Sequence, residues 1–308
     1  MLGICIPTFN RGKYLREALI SITEQFSDQD VAKNVNVFIL DNRSDDDTEK
    51  ISADFTSRFS NIKYVKDSQR RGMAKGLIKA ASLSADKYIW IFSDDDKMYP
   101  GCLKKILSKI KNNDPDLVIC NIDSFIDDNK IYQKNLFKDT VDYNFANRKE
   151  FFVYLNTKFY YDIDYYTTFC SNWVLKKDYY DKTKHIFDKY NDERLDLSPF
   201  LSLIFYSGED YRTSIIGESL VMFRSDNTSW GYKNSVKHFL YQDAIWQHYY
   251  KNIDFNNRDV APYSFRFNVK IKNLLRYKDF LFMLFILFLK KIKLFNFVRN
   301  IYKKLLFR

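Results

Sequence analysis

Tyr88-Ile89-Trp90-Ile91-Phe92-Ser93-Asp94-Asp95-Asp96 is the stretch on which the reading of this chain turns. A short, unbroken apolar run predicts a strand covered on both faces. The three acids then stand at its carboxyl end, and Pro100 marks the approach to a helix. Three adjacent carboxylates repel one another unless a cation neutralises them. Mg2+ and Mn2+ favour carboxylate oxygens, and Mg2+ commonly divides itself between one or two carboxylates and substrate phosphates. An acidic run can equally serve as the cap of the next helix, so its neighbours decide between the two.

Upstream, the same arrangement occurs twice more. The apolar run Leu2–Ile6 leads into Pro7-Thr8-Phe9-Asn10-Arg11, and Val35–Leu40 leads into Asp41-Asn42-Arg43-Ser44-Asp45-Asp46-Asp47-Thr48. Further short strands are expected at Ile62–Val65 and Leu117–Cys120. Between them, Tyr14–Gln25, Thr48–Phe59, Met73–Leu83 and Gly101–Lys111 carry helical spacing. Strand–helix alternation predicts a mostly parallel, Rossmann-like α/β sheet flanked by helices. Ligands of such sheets bind beyond the carboxyl ends of the strands. Strand polarity alone therefore brings the three polar clusters to one edge. Asp41 at a strand tip can accept a hydrogen bond from a base or a ribose. Ser44 and Asp46 read equally as an Asx-turn and helix cap.

Downstream the pattern blurs from Asn121 to Tyr166. Thr167–Leu175 and Thr213–Phe223 read as strands and Ser198–Tyr206 as a helix. Residues 1–121 are expected to form one half of a domain, 122–235 an extension of that same domain with loops that could cover a site, and 236–308 a helical, basic extension. In that extension apolar residues recur at helical spacing between cations, as in Leu294, Val298, Ile301 and Leu305 against Arg299, Lys303 and Lys304. Such C-terminal amphipathic helices suit an anionic membrane surface. A terminal helix packed on the domain with a solvated basic face is the plainer alternative. The longest apolar run, the ten residues Phe280–Leu289, falls short of a membrane span, which needs about 20.

The net charge of +10 is concentrated after Lys270, where Asp279 is the one acid. A nucleic-acid binder more often carries its basic residues on the folded domain, so no nucleic-acid partner is expected. Cys5, Cys102, Cys120 and Cys170 form no CxxC and are expected to be free thiols in a reducing compartment. No basic segment precedes the first strand, so no secretory signal is expected. The expected location is cytoplasmic, peripheral on the inner face of the cell membrane. His185, His238 and His248 share no ligand spacing, and Trp173 and Trp230 could stack on a sugar or simply fill core.

The N-terminal portion resembles glycosyltransferase family 2, of the GT-A fold. Pro7-Thr8-Phe9-Asn10 matches its first motif. Asp41–Thr48 stands where the family commonly reads DDGSTDGT. Gly72 follows, and Phe92-Ser93-Asp94-Asp95-Asp96 with Pro100 stands near FLDxDDxxxP. A shorter echo is Glu218–Arg224, where relatives often close a strand with Tyr-Arg. The run Arg224–Trp230 is similar to bacterial surface-polysaccharide transferases of the abequosyltransferase-like kind. The resemblance implies transfer of a sugar, with inversion, from a nucleotide-diphosphate donor to a hydroxyl of a lipid-linked or growing bacterial surface glycan. It implies Mn2+ or Mg2+ held by Asp95, with Asp94 or Asp96 assisting. Pro7, Thr8, Asn10, Arg11, Asp41, Ser44, Gly72 and Asp94 would line the nucleotide-sugar site. Counting back from Leu220 as in relatives puts the general base at Asp196, with Asp192 and Glu193 nearby and Glu209 and Asp210 further alternatives. The chain departs from the pattern at Ser93, where an acid often lies, at Arg70 in place of a frequent Asn, and at Leu77-Ile78 in place of Arg-Asn. A nucleotidyltransferase and a non-catalytic membrane-associated scaffold are the rival readings. The first is disfavoured because no glycine precedes Gly12 in the first loop, the second because the acid triplet is intact.

Overall fold

The computed structural model describes residues 1–126, 130–158, 170–189, 203 and 208–225. All of these belong to one compact unit, Met1–Val260. The helices expected at Ser198–Tyr206 and after residue 236 lie outside the described residues, apart from Leu203.

The chain opens with strand β1 (Leu2–Thr8), helix α1 (Gly12–Thr23), a 3-10 turn (Glu24–Ser27) and α2 (Gln29–Asn34). β2 (Val35–Asp41), α3 (Thr48–Arg58), β3 (Ile62–Lys66), α4 (Met73–Ala81) and β4 (Tyr88–Ile91) follow. Then come β5 (Lys97–Met98), α5 (Cys102–Asn113), β6 (Leu117–Ile126), β7 (Lys130–Gln133), β8 (Tyr143–Phe145) and α6 (Arg148–Lys158). Beyond these lie β9 (Trp173–Lys176), two short helices (Lys177–Thr183 and Ile186–Lys189) and β10 (Thr213–Arg224).

Among the described residues the strands form one sheet in the order β3-β2-β1-β4-β9-β6-β10-β5, with β7 beside β6 and β8 beside β10. β3, β2, β1 and β4 run parallel, as do β6 and β10. β9 runs antiparallel between β4 and β6, pairing Val174 with Trp90 and Trp173 with Ile119. β1, β2, β4, β6 and β10 therefore end at the same edge, and β9 begins there.

The strands read as continuous apolar runs because both faces are covered. Leu2, Ile4, Ile6, Val37, Ile39 and Trp90 pack with Leu15, Leu19 and Ile22 of α1, Phe55 of α3 and Leu103, Ile106 and Ile110 of α5. Cys5, Leu40, Ile89 and Ile91 pack on the other face with Leu77 and Ala80 of α4 and Phe151 and Leu155 of α6. Each such Leu or Ile contributes roughly 1.5–3 kcal/mol on leaving water. The result is three layers, with the sheet between helices: the GT-A α/β architecture. Trp173 is core, 3% exposed. The four cysteines are free thiols. Among the described residues no helix is long and apolar enough to cross a membrane.

Candidate active site

The loop after β1 organises the edge. Asn10 adopts a positive φ of 52°, which Asn tolerates better than most residues. That turn lets its backbone N–H donate to Ser44 Oγ (2.8 Å) while its Oδ1 accepts from Asp45 N (2.8 Å). Two residues on, the Gly12 N–H donates to Asp46 Oδ2 (2.9 Å). Asp46 Oδ1 also accepts from the Thr48 N–H (3.1 Å) at the start of α3. The β1 and β2 loops are thus laced together, and α1 starts against α3. Asp46 thus makes a local turn to Thr48, the N-cap of α3 is Asp47 with no side-chain cap bond, and the Ser44 hydroxyl is given to the β1 loop rather than to a cap.

Asp41 stands at the β2 tip, in register with Thr8. It is fully buried. Its Oδ1 accepts from the Ser44 N–H (2.8 Å) and its Oδ2 from the Tyr64 hydroxyl (2.7 Å). Burial, then that hydrogen bond, raises the Tyr64 pKa, so the phenol stays a donor. A ligand reaching Asp41 must displace this hydroxyl or share the oxygen. Next to it, Asn42 brackets the Arg71 backbone: its Nδ2 donates to Arg71 O (2.6 Å) and its Oδ1 accepts from Arg71 N (2.6 Å). This brings the loop before α4 up to the β2 tip. Gly72, the residue before α4, has open space where a side chain would stand.

The acid turn completes the rim. Arg11 Nη2 lies 2.5 Å from Asp95 Oδ2 and Nη1 lies 3.3 Å from Asp94 Oδ1. Burial opposes the Arg11 charge, but Asp94 and Asp95 outweigh it and hold the pKa above its usual value. Burial pushes Asp94 up to about 7; Arg11 opposes the rise, Asp95 adds to it, and the Thr8 hydroxyl favours the charged form. Asp96 has a different environment. Its Oδ1 accepts from the Arg224 backbone N–H (3.1 Å). Burial, and then the charge of Asp95, raises its pKa well above the usual range. Ser93 donates from Oγ to Asp95 Oδ1 (2.5 Å) and from its backbone N–H to Ser171 Oγ (2.9 Å). A hydroxyl where an acid often stands therefore orients the acid two residues on.

The residues present fit a divalent cation in a limited way. Asp94 and Asp95 already converge on one positive group, the Arg11 guanidinium. Among the described residues no group of three His, Cys, Asp or Glu side chains is placed to hold a metal. An ion at Asp95 and Asp94 would take its remaining ligands from water and from the phosphates of a substrate.

The structure thus brings Pro7, Thr8, Asn10, Arg11, Asp41, Ser44, Gly72 and Asp94–Asp96 to one edge. Asp196, Asp192 and Glu193 lie outside the described residues, as do Trp230, His238 and His248. Glu209 and Asp210 stand at the opposite edge, before the amino end of β10. There Glu209 pairs with Lys182, and Asp210 accepts from the Arg148 N–H (2.7 Å). A twelve-residue strand separates them from the acid turn, roughly 40 Å at 3.3 Å per residue. Neither can serve as a base there. His185 is exposed and bonds to Lys182 O through Nδ1. Three residues that sequence reasoning left without a role support the turn from beneath. Arg224 is buried; its Nε donates to Asp95 O (3.3 Å) and its Nη2 to Glu17 Oε2 (2.5 Å). Glu17 also pairs with Lys97 (2.7 Å). Ser171 is the third. The Tyr-Arg echo was the one signal for Arg224; nothing marked Glu17 or Ser171.

An acid turn, two laced loops and a buried carboxylate at the carboxyl edge of a GT-A sheet place the chain among the glycosyltransferases of α/β architecture. The chain belongs to glycosyl transferase family 2, whose model matches residues 3–184. It is similar to abequosyltransferase RfbV of Salmonella typhimurium, at 30% identity over 122 residues, 39% of this chain and 35% of that protein. It is also similar to the GalNAc(5)-diNAcBac-PP-undecaprenol beta-1,3-glucosyltransferase of Campylobacter jejuni, at 26% identity over 109 residues, 35% of this chain and 34% of that protein. These matches span about a third of the relatives' own length. Among solved structures, S. aureus TarS residues 1–349 superimposes with a TM-score of 0.60 at 16% identity, covering 82% of this chain and 66% of that one. That likeness concerns the fold.

Proposed function

We infer that this chain is an inverting glycosyltransferase, moving a sugar from a nucleotide-diphosphate donor to a hydroxyl of a lipid-linked or growing bacterial surface glycan. The observation that carries this reading is Arg11. Its loop is hydrogen-bonded to the β2 loop, and its guanidinium reaches both Asp94 and Asp95. One short loop thereby links the nucleoside side of the rim to the acids. TarS has been solved with UDP-GlcNAc, which supports a nucleotide-sugar as the donor class here.

In this reading Thr8, Asn10, Ser44 and Asp41 shape the nucleoside end, with Pro7 and Gly72 leaving room for it. Arg11 donates to the diphosphate as negative charge gathers there, where a fixed donor is worth most. A carboxylate takes the proton of the acceptor hydroxyl as its oxygen attacks the anomeric carbon, opposite the breaking bond to the diphosphate oxygen. Asp196, with Asp192 and Glu193 as alternatives, is proposed for that role from its place in the sequence. A divalent cation at Asp95 and Asp94 would add neutralisation of the leaving diphosphate. The basic extension would hold the protein on the anionic inner face of the membrane, near a lipid-linked acceptor. The name of the Campylobacter relative, which includes an undecaprenol-linked glycan, supports that acceptor class.

The test is a panel of UDP-, GDP-, CDP- and dTDP-sugars with Mn2+, read by release of the free nucleoside diphosphate. One of these donors is expected to turn over. Release of pyrophosphate from a nucleoside triphosphate instead would favour a nucleotidyltransferase, and no release from either would favour a scaffold. Co-sedimentation of the full chain with phosphatidylglycerol vesicles at low salt, lost at high salt, is expected if the extension binds the membrane.

A further inference from the structure

The strand order β2-β1-β4-β9-β6 fixes the sequence of groups along the carboxyl edge. The β2 and β1 loops come first, then Arg11 with the acid turn after β4, and then the start of β9 beside β6. A 3-10 turn, Cys170–Asn172, leads into β9 and packs against β4, β6 and β10. It is tied to the acid turn and the strand before it. Ser171 Oγ accepts from the Ser93 N–H (2.9 Å), and Ser171 O accepts from Trp90 Nε1 (2.9 Å). Asn172, next to it, is 0% exposed, yet neither its Oδ1 nor its Nδ2 has a hydrogen-bond partner among the described residues. Near the end of β6, the buried Ser124 hydroxyl is also without one. Buried polar groups are almost always paired, and an unpaired buried amide is costly. The two polar atoms of Asn172 therefore call for a ligand that brings both a donor and an acceptor. Cys170 is half-buried, so the turn reaches the surface within two residues of the amide.

We propose that Asn172 reads two neighbouring hydroxyls of the transferred sugar, its Oδ1 accepting from one and its Nδ2 donating to the other. The inference rests on the donor reading above. A donor with its nucleoside over β2 and β1 and its diphosphate at Arg11 and the acid turn carries its sugar onward, to β9 and β6. A hydroxyl is both donor and acceptor, so a vicinal pair matches the two ends of one amide. Entry requires the 3-10 turn to shift outward, and the cost of the unpaired amide favours that shift. Once paired, the amide discriminates, because a sugar lacking either hydroxyl leaves half of it unpaired again. Asn172 thus answers to the sugar and not to the nucleotide.

The experiment compares sugar nucleotides with their free nucleoside diphosphates, by isothermal titration calorimetry on the full chain with Mn2+, using the UDP-, GDP-, CDP- and dTDP-sugars named above. Asn172→Leu keeps the branched shape and removes both polar atoms. It is expected to bind the sugar nucleotide that wild type accepts roughly ten- to a hundredfold more weakly, with its affinity for the free diphosphate within about twofold of wild type. Asn172→Ala should show the same split and covers the case in which Leu overfills the space. Deoxy analogues of the accepted sugar should lose affinity for wild type at two adjacent positions, and lose none there for Asn172→Leu. An amide that serves the fold alone would leave both affinities as in wild type, whatever the melting temperature of the variants, and that result overturns the proposal. Equal weakening of nucleotide and sugar nucleotide overturns it too. Neither result touches the function proposed above. Binding of no diphosphate and no sugar nucleotide by wild type would instead remove the donor reading, and this inference with it.

Discussion

At the scale of single residues, the acid turn shows that three identical side chains in a row need not share a role. Asp95 meets Arg11, Asp94 is buried beside both, and Asp96 is turned to the backbone of Arg224. Their electrostatics give a sign that can be checked. Burial raises Asp94 from its ordinary value to about 7, with Asp95 adding to the rise against Arg11. A carboxyl raised in the folded state favours folding most below its unfolded value, and that contribution is lost as pH rises through about 7. Asp94→Asn stays neutral throughout. Without nucleotide, the wild-type melting temperature is expected to fall between pH 5 and pH 8 more steeply than that of Asp94→Asn. Parallel curves would show that Asp94 titrates normally. With donor present, the same variant is expected to lose most transfer activity, since an amide is a poorer ligand than a carboxylate for the cation proposed to neutralise the diphosphate.

At the scale of elements, much of the architecture was legible and the remainder was not, for physical reasons. β1, β2 and β4 with α1, α3, α4 and α5 declared themselves because double-sided burial and helical stripes leave strong local patterns. The convergence of the three polar clusters followed from strand polarity alone. β5, β7 and β8 did not show, because strands of two to four residues are fixed by the neighbours they pair with rather than by their own sequence. Asn121–Tyr166 looked featureless, yet β6 runs on to Ile126. It alternates apolar and polar residues because Asn121 Oδ1 accepts from the Phe137 N–H and Asp123 Oδ1 from the Asn135 N–H. Thr167–Leu175 read as a strand, but Cys170–Asn172 form a 3-10 turn and the strand is Trp173–Lys176; its antiparallel insertion between β4 and β6 is a non-local pairing with no local mark. Two element contacts carry predictions. A methyl group on Gly12 would stand 3.0 Å from the Thr48 backbone N. Gly12→Ala should therefore force α1 off α3 and cost roughly 1–3 kcal/mol, read as a lower urea midpoint. At the far end of α5, Asp114 receives Lys176 (2.7 Å), Lys87 (2.8 Å) and the Tyr88 hydroxyl (2.9 Å). Hydrogen bonds from Lys176 and Lys87 lead the causes that hold its carboxyl far below the usual range. A depressed carboxyl stabilises the fold above its unfolded value and loses that contribution as pH falls. Asn suits the left-handed backbone of residue 114 (φ 43°). Asp114→Asn should thus be less stable than wild type at pH 7, and the gap should narrow steadily as pH falls below the unfolded carboxylate value of about 4.

At the scale of the whole molecule, the site depends on an alliance between the two ends of the described chain. Glu17 of α1 and Arg224 at the close of β10 are 207 residues apart in sequence and 2.5 Å apart in space. No reading of local pattern could have joined them. Arg224 passes between the Tyr14 and Phe125 rings, at 4.9 and 4.5 Å, and its Nε and backbone N–H hold Asp95 O and Asp96 Oδ1. Lys97, directly after the triplet, shares Glu17 with it. The last strand is thereby clamped to the first helix, with the acid turn gripped between them. A guanidinium this deep needs its carboxylate, because a buried charge that loses its partner costs far more than the pair contributes when intact. Glu17→Gln keeps the shape and removes the charge, and is expected to lower stability by roughly 1–3 kcal/mol. Its more telling effect should be on the acids it never touches. If Arg224 positions the turn, Glu17→Gln lowers kcat severalfold or more and weakens Mn2+ binding in the presence of nucleotide, while Glu17→Asp recovers part of both. If the clamp is structural only, the variant melts earlier but, assayed well below its melting point, keeps the Mn2+ affinity and kcat of wild type.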